Sequence, residues 1–286
     1  MIQRHEFLIV VDSDGCAFDT MEIKHQECFI PNTIRCWRLQ PISRYVRRLA
    51  VFVNLRSQFR GLNRFPALIK LFDWLQEWPD LQTARHCIPG VPALRRWVAQ
   101  SNSWNHAALA RELDNHDAAD LHQALEWSEA INRSVRAMVT GIPPFVGVAE
   151  SLALVSAWAD IIVCSVTNQE QLVREWREHG LDRHVALIAG QESGSKAEIV
   201  RLAMQGRYHP DQVLLIGDAP SDKVAADENG AAFYPILAGR EAASWSYFYQ
   251  EAAELFHSGR YRILCEPERL AHFNRNLPLY PDWQTL

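Results

Sequence analysis

The sequence predicts an α/β fold in which an open parallel sheet carries helices on both faces and an all-helical domain is inserted after the first strand. Two observations predict it: short apolar runs that end abruptly at polar or small residues, and helical periodicity between most of these runs. Apolar runs of this kind are typical of parallel strands that are buried on both faces. Their alternation with helices indicates a sheet that is covered on both sides.

The apolar runs give five candidate strands, of which the fifth has the weakest pattern. They are Phe7–Val11, Ile161–Cys164, Val185–Ile188, Val213–Ile216 and Ala231–Ile236. Helical patterns fall between them at roughly 147–158, 168–179, 195–206 and 220–229.

The segment 20–144 has a different character, with helical periodicity and no convincing strand. Its helical stretches are 42–55, 65–78, 90–100 and 118–139, and prolines punctuate them. We therefore assign 1–19 and 145–286 to the α/β core and 20–144 to an inserted helical domain. The extension 240–286 is rich in aromatic residues, and we expect a helix that packs on the core. A role in lining a site is the alternative.

Composition excludes several classes of function. The chain has 286 residues, 48% hydrophobic residues and a net charge of −5, so we expect no broad basic surface for nucleic acid. No apolar run approaches the roughly 20 residues of a membrane-spanning helix, and we expect no membrane association. The six cysteines form no Cys-x-x-Cys pair and are typical of free thiols in a reducing compartment. These features predict a cytoplasmic protein.

Chemically capable side chains follow the predicted strands at their carboxyl ends. Asp12 and Asp14 follow the first strand, Ser165 follows the second, Lys196 begins the helix after the third, and Asp218 and Asp222 follow the fourth. In an open α/β sheet, ligands bind outside the carboxyl ends of the strands, so the fold should bring these residues together. Singly, each is an ordinary turn or helix-capping residue. Their joint order along the chain indicates a site.

Four carboxylates in one crevice repel one another. Two unit charges about 4 Å apart interact by roughly 4 kcal/mol at an effective dielectric constant of about 20. A divalent cation relieves this repulsion, and Mg²⁺ prefers a few carboxylates together with waters and phosphate oxygens. The pattern therefore predicts Mg²⁺ as the cofactor and a small phosphorylated molecule as the substrate, whose charge Lys196 also attracts.

The chemistry expected of such a site is phosphoryl transfer. Asp12 is the candidate nucleophile, because a carboxylate can form an aspartyl-phosphate. Asp14 is the candidate general acid and base, which protonates the leaving oxygen and later activates water. Ser165 and Lys196 are expected to hold the phosphoryl oxygens as charge redistributes.

These residues resemble the motifs of the haloacid dehalogenase (HAD) superfamily. Asp12-Ser-Asp-Gly-Cys-Ala-Phe-Asp-Thr20 resembles the first motif, Cys164-Ser-Val-Thr-Asn168 the second, Lys196 in Gly-Ser-Lys-Ala-Glu the third, and Gly217-Asp-Ala-Pro-Ser-Asp222 the fourth. The third motif departs from the common pattern, since Ala197 and Glu198 stand where many members have Pro-x-Pro-Asp. The acid at Asp14 argues against dehalogenase chemistry itself.

The resemblance implies a Rossmann-like core and an aspartyl-phosphate at Asp12. It also implies Mg²⁺ bound by Asp12, the backbone carbonyl of Asp14 and Asp218. For Asp222 it leaves three roles open: a further ligand, binding through water, or positioning of Lys196. In the second motif, Thr167 and Asn168 are expected to contact the substrate.

The insertion resembles the helical cap domains of this superfamily. Its segment Arg60-Gly61-Leu-Asn-Arg64 resembles the cap loop of beta-phosphoglucomutase relatives, and we expect Arg60, Gly61 and Arg64 to contact a phosphate or polyol. A solvated basic turn is the alternative. Lys24 resembles in position the Schiff-base lysine of phosphonoacetaldehyde hydrolases, although an exposed helical lysine is the simpler interpretation.

The leading hypothesis is a Mg²⁺-dependent phosphatase that hydrolyses a small phosphorylated metabolite, such as a sugar or polyol phosphate. The first alternative is a phosphomutase, which would return the phosphoryl group to a sugar hydroxyl instead of to water. A phosphonatase and a non-catalytic binding protein are further alternatives. The complete set of Asp12, Asp14, Lys196 and Asp218 argues against the last of these.

Overall fold

A computed structural model describes residues 2–101 and 103–283. Within that part, the chain separates into two compact units. Of the described residues, unit 1 comprises 2–21 and 141–277, and unit 2 comprises 22–101, 103–140 and 278–283. No helix among the described residues is both long and apolar enough to cross a membrane.

Unit 1 is built on a parallel sheet. Among the described residues its strands are β1 (Phe7–Val11), β2 (Ala159–Cys164), β3 (Leu187–Ala189), β4 (Val213–Gly217) and β5 (Ala232–Pro235), in the order β3-β2-β1-β4-β5. The chain builds outward from β1 to β3 on one side and then crosses to β4 and β5 on the other. The strand order therefore reverses between β1 and β4, which is where open α/β sheets bind ligands.

The register of the sheet aligns the ends of its central strands. Val11 pairs with Val163 of β2 and with Ile216 of β4, so the residues after these strands emerge at one edge. Alternate side chains pack on opposite faces: Ile9 and Val11 belong to one buried cluster, and Leu8 and Val10 to another. The sheet is thus covered on both faces, which confirms the predicted α/β core.

The helices of unit 1 lie between and after the strands, close to the predicted positions. In unit 2 and at its junction, the α-helices are α1 (Thr20–Ile23), α2 (Ile30–Cys36), α3 (Ser43–Leu55), α4 (Arg64–Glu77), α5 (Pro92–Gln100), α6 (His106–Asn115) and α7 (Ala119–Met138). In unit 1 they are α8 (Val148–Val155), α9 (Gln169–Glu178), α10 (Lys196–Met204), α11 (Pro220–Glu228), α12 (Glu241–Tyr247), α13 (Ala253–His257), α14 (Tyr261–Leu264) and α15 (Glu266–Asn276).

Unit 2 has its own aromatic core. The buried side chains of this core include Trp37, Phe72, Trp78, Trp97 and Trp127, each at most 4% exposed. Edge-to-face pairs such as Trp37 with Phe72, whose ring centroids lie 5.3 Å apart, add to the area that these rings bury. A π-helix (Lys24–Phe29) joins α1 to α2, so the first helical run of this unit is continuous.

The aromatic extension packs on the core, as predicted for most of its length. Trp245 and Phe248 are fully buried in the same cluster as Val11. The indole nitrogen of Trp245 donates to the carbonyl of Cys16 at 2.8 Å, so α12 supports the loop that follows β1.

The end of that extension was assigned to the wrong unit. Residues from Pro278 onward belong to unit 2 rather than to the core. The carbonyl of Pro278 accepts a hydrogen bond from the backbone nitrogen of Gln58 at 3.2 Å, and the Trp283 ring lies 5.4 Å from that of Trp78. The cause is that α15 ends at Asn276, and the chain after it packs against unit 2, where Trp283 contacts Trp78. Residues 284–286 lie outside the described residues.

Replacing Asp160 with asparagine should destabilise unit 1. Asp160, 4% exposed, accepts hydrogen bonds from the backbone nitrogens of Arg4 and His5 at 2.8 and 3.0 Å and from the Tyr208 hydroxyl at 2.6 Å. All three hydrogen bonds end on Oδ2, so asparagine can offer these donors a neutral oxygen but not a charged one. Hydrogen bonds to a neutral group contribute less, and we expect a loss of about 1–3 kcal/mol in the free energy of unfolding. Urea unfolding at neutral pH measures it, with the exposed Asp211→Asn as the control. If the two variants were equally stable, the buried hydrogen bonds of Asp160 would not contribute to stability as we expect.

The same carboxylate predicts a pH dependence. Burial raises the pKa of Asp160, but hydrogen bonds from Tyr208 and the two backbone amides bring it below the usual value. A lowered pKa contributes stability above the unfolded-state value of about 3.9 and loses it as the pH falls through the folded-state value. The difference in stability between the native protein and the asparagine variant should therefore narrow below about pH 4.

Candidate active site

The loop after β1 is a tight turn that fixes Asp12. The carbonyl of Ser13 accepts hydrogen bonds from the backbone nitrogens of Ala17 and Phe18 at 2.9 and 3.0 Å. Gly15 has a φ of 80°, a left-handed conformation that residues other than glycine rarely adopt. The backbone nitrogen of Asp12 donates to Ile216 of β4 at 2.9 Å, so the strand pairing continues to this residue.

The loop after β4 brings two more acids to the same edge. Asp218 follows the last residue of the strand, and Asp222 lies in the first turn of α11. An oxygen of Asp222 accepts hydrogen bonds from the backbone nitrogens of Asp218 and Ala219 at 3.2 and 3.0 Å. Asp222 therefore caps its own helix while its other oxygen remains directed toward Lys196.

Lys196 is placed by the start of α10. Ser195 is the N-cap of this helix, and Glu198 completes a capping box with it, so the lysine is the first helical residue. Its ammonium lies 2.8 Å from Asp12 Oδ1 and also contacts Asp222 Oδ1. The third motif departs from the common pattern, but the capping box of Ser195 and Glu198 still starts the helix at Lys196, whose side chain reaches Asp12.

Burial is the largest influence on the pKa values of both Asp12 and Lys196. Burial raises the pKa of Asp12 well above its usual range; Lys196 opposes this, while Asp222 and Asp218 add to it. Burial alone would lower the pKa of Lys196, but Asp12 and Asp222 raise it well above its usual value. The lysine therefore stays protonated, and its ammonium is shared by the carboxyl groups of Asp12 and Asp222.

The three acids have the chemistry of a cation site. Asp12, Asp218 and Asp222 are at most 5% exposed, and each offers an oxygen that lies within 4.8 Å of the others. A set of hard oxygen ligands with excess negative charge suits a divalent cation such as Mg²⁺. Asp222 also binds Lys196 and two backbone nitrogens, and its three possible roles stay predictions.

The candidate general acid lies in the same loop and is held by hydroxyl groups. Asp14 Oδ1 accepts a hydrogen bond from Thr20, and its Oδ2 accepts one from Thr167. The contact with Thr20 was not predicted, although Thr20 ends the first motif. The hydroxyl of Thr167 was predicted to contact substrate, and in this structure it contacts Asp14.

The loop after β2 carries the remaining core residues. Ser165 is 2% exposed, its backbone nitrogen donates to Ala189 of β3 at 3.1 Å, and its hydroxyl accepts from the Thr167 backbone nitrogen at 3.3 Å. The side chain of Asn168 caps α9 by accepting from the backbone nitrogens of Glu170 and Gln171. Contact of Asn168 with substrate stays a prediction.

The predicted loop residues of unit 2 are engaged within that unit. Arg60 is 3% exposed and donates to the Leu55 carbonyl at 3.0 Å, and Gly61 has a φ of 77°. These contacts fix the bend between α3 and α4. The substrate contacts of both residues stay predictions.

Arg64 begins α4 and is largely enclosed by its neighbours. Its guanidinium donates to Ser128 Oγ at 3.0 Å and Asn132 Oδ1 at 2.9 Å, and it lies 5.1 Å from the centre of the Phe29 ring. Burial lowers the pKa of Arg64 to about 10. Its substrate contact likewise stays a prediction.

Sequence reasoning missed the supports of the Asp12 loop. Ser13 is fully buried, accepts a hydrogen bond from the Trp176 indole at 3.0 Å and donates to Glu175 at 3.4 Å. Both partners lie on α9, far along the chain from Ser13. An aromatic residue on an amphipathic helix carries no local signal of such a contact.

Gly217→Ala should displace Asp222 and destabilise the protein more than Gly90→Ala does. A Cβ at this position would lie 2.4 Å from the carboxyl group of Asp222, closer than any side chain tolerates. Asp222 would have to leave Lys196 and its backbone partners, at a cost of about 1–3 kcal/mol for overpacking. Thermal unfolding measures it. Gly90→Ala is the matched control, because nothing lies within 4 Å of its new Cβ. Equal unfolding temperatures of the two variants would contradict the close contact between Gly217 and Asp222.

Comparison with known proteins supports the fold. A crystal structure of a predicted phosphoglycolate phosphatase from Haemophilus somnus is 14% identical, with a TM-score of 0.50 over 81% of this chain and 85% of that one. A haloacid dehalogenase-like hydrolase from Xanthomonas campestris is 13% identical, with a TM-score of 0.49 over 90% of this chain and 96% of that one. No family model and no curated protein sequence match the chain. The first likeness shows a shared fold, in agreement with the predicted α/β core.

Proposed function

We propose that this chain, which combines the HAD-type fold with the four sequence motifs of that superfamily, is a Mg²⁺-dependent phosphatase. Its substrate is a small phosphorylated metabolite, such as a sugar or polyol phosphate. The reaction proceeds through an aspartyl-phosphate on Asp12.

The observation that carries the proposal is the contact of Lys196 with both Asp12 and Asp222, beside Asp218. These side chains come from three separate elements and converge at the strand-order reversal between β1 and β4. An arrangement with this much buried charge is costly to maintain for stability alone. It is well suited to a phosphate dianion that arrives together with a divalent cation.

Asp12 and Asp218 are the proposed side-chain ligands of Mg²⁺, with the backbone carbonyl of Asp14. When bound, the cation neutralises part of the carboxylate charge and polarises a phosphoryl oxygen. The donor set fits, because it consists of oxygens only and carries more negative charge than Lys196 balances.

The chain's own residues divide the reaction between them. The Asp12 carboxylate attacks phosphorus, and Asp14 gives its proton to the leaving oxygen. Lys196 and Ser165 hold phosphoryl oxygens during the transfer. Asp222 keeps Lys196 in place through its direct contact.

Recognition of the rest of the substrate is assigned to two groups of residues. Thr167 and Asn168 lie in the loop after β2 of unit 1. Arg60, Gly61 and Arg64 lie at the bend between α3 and α4 of unit 2. The arginines provide forked donors that suit a phosphate or polyol.

A phosphate-release screen tests the proposal. Metal-free protein should be inactive on a panel of sugar phosphates, polyol phosphates, nucleotides and phosphonates, and Mg²⁺ should restore turnover of phosphate esters. Release without any bisphosphate activator distinguishes the phosphatase from a phosphomutase. Absence of turnover across the panel, together with no beryllofluoride adduct in the presence of Mg²⁺, would refute the proposal.

A further inference from the structure

Two threonine hydroxyls hold the carboxyl group of Asp14 from two sides. Thr20 donates to Oδ1 and Thr167 donates to Oδ2. Thr20 is fully buried, and Thr167 is partly buried in the loop after β2. Both oxygens of the proposed acid and base are therefore matched by groups that belong to different parts of the chain.

We infer that Thr20 and Thr167 are positioning residues that orient the carboxyl group of Asp14 through its two oxygens. The inference rests on the proposed function, in which Asp14 alternates between acid and base. It assigns Thr167 a role that acts through Asp14.

A hydroxyl is suited to this role because it both donates and accepts. Toward an ionised Asp14, each threonine donates a hydrogen bond, as the structure shows. When Asp14 carries a proton, the hydroxyl on that oxygen can rotate and accept instead. The pair of threonines therefore holds the side chain without favouring only one state.

The proposed reaction requires both states within one cycle. In the first step an oxygen of Asp12 bonds to phosphorus, the bond from phosphorus to the leaving oxygen breaks, and the proton of Asp14 moves to that oxygen. In the second step water bonds to phosphorus, the bond to Asp12 breaks, and a proton of the water returns to Asp14. Asp14 begins and ends the cycle protonated.

The surroundings hold Thr167 in place. Its backbone nitrogen donates to Ser165 Oγ at 3.3 Å, and its carbonyl accepts from the Gln191 backbone nitrogen at 3.0 Å. Gly190 permits this approach, because a Cβ there would lie 2.7 Å from the Thr167 carbonyl oxygen. The hydroxyl of Thr167 thus reaches Asp14 from a loop fixed by its own backbone.

Valine and serine variants of the full-length protein test the inference. Acetyl phosphate has a leaving group that departs without a proton, whereas glycerol 2-phosphate has an alkoxide that needs one. Thr20→Val and Thr167→Val should each slow formation of the phosphoenzyme from glycerol 2-phosphate by about 10- to 100-fold, a part of the 10²–10⁴-fold that general acids contribute. Formation from acetyl phosphate should change less than about 3-fold, because it bypasses the acid. Serine at either position should restore the rate.

Two further measurements separate this inference from a structural effect and from the proposed function. Thr33→Val is the control for loss of a buried threonine hydroxyl, since this hydroxyl donates to the Phe29 carbonyl at 2.8 Å and accepts from the Trp127 indole at 3.0 Å, both within unit 2. A crystal structure of the double valine variant should show Asp14 in a changed rotamer. An unchanged rotamer, or equal slowing with both esters, would overturn the inference. If the native protein turns over neither ester, the proposed function fails, and the rotamer alone decides the positioning role.

Discussion

Replacing Asp12 with asparagine should abolish turnover and phosphoenzyme formation while the protein stays folded. Asparagine has nearly the same shape but cannot donate an anionic oxygen to phosphorus. We expect turnover to fall by at least about 10⁴-fold, within the range seen when a covalent nucleophile is removed from other enzymes. Steady-state phosphate release measures turnover, and mass spectrometry of acid-quenched protein measures the phosphoenzyme.

The stability of this variant distinguishes a chemical loss from a structural one. Burial raises the pKa of Asp12, with Asp222 and Asp218 adding to the shift, so ionised Asp12 costs stability when the pH rises through its folded-state pKa. Without metal and at neutral pH, the asparagine variant should therefore unfold at an equal or higher urea concentration than the native protein. The exposed Asp227→Asn is the control. Normal turnover by the Asp12 variant would exclude the assigned nucleophile.

Lys196→Met should have the largest effect on stability among substitutions at the site. The Lys196 side chain is 10% exposed and its ammonium contacts both Asp12 and Asp222, so its removal leaves buried carboxylates without their cation. Removing one partner of a buried ion pair costs about 3–5 kcal/mol. Urea unfolding in the presence of a chelator measures the loss, and turnover should also collapse because the phosphoryl oxygens lose a partner.

A second lysine gives the matched control. Lys223 forms an ion pair with Asp227 one helical turn away, and both side chains are more exposed than Lys196. Lys223→Met should change stability by less than about 1 kcal/mol, as for other surface pairs. Mg²⁺ should recover more stability in the Lys196 variant than in the native protein, because a cation replaces the missing charge. Equal losses in the two variants would contradict the buried network.

The central strands could be predicted because buried parallel strands are continuous apolar runs. The edge strand β3 begins two residues and ends one residue later than predicted, and its first residue, Leu187, is 39% exposed. The helical run through Pro31 was not predicted, because a proline suggests a break. Here Pro31 lies in the first turn of α2, directly after the π-helix Lys24–Phe29, and the helical run continues through it.

Some residues of the candidate site could likewise be predicted from the sequence, and others could not. Asp12, Ser165 and Asp218 follow strands directly, so the register of the sheet is enough to bring them together. The hydroxyl contacts of Asp14 depend on side chains that are distant in sequence and carry no periodic pattern. The docking of Trp283 on Trp78 is of the same kind, because no local property of the last residues indicates which unit they join.

The path of the chain determines how its parts can be exchanged. It passes from one unit to the other after Met21, Thr140 and Leu277, rather than leaving and returning once. A chimera that takes residues 22–140 from this protein would leave Trp78 without Trp283, and a chimera that replaces them would confront Trp283 with a foreign surface. The transferable module is therefore discontinuous: it includes Pro278–Trp283, and a graft of this unit onto another core must carry both pieces.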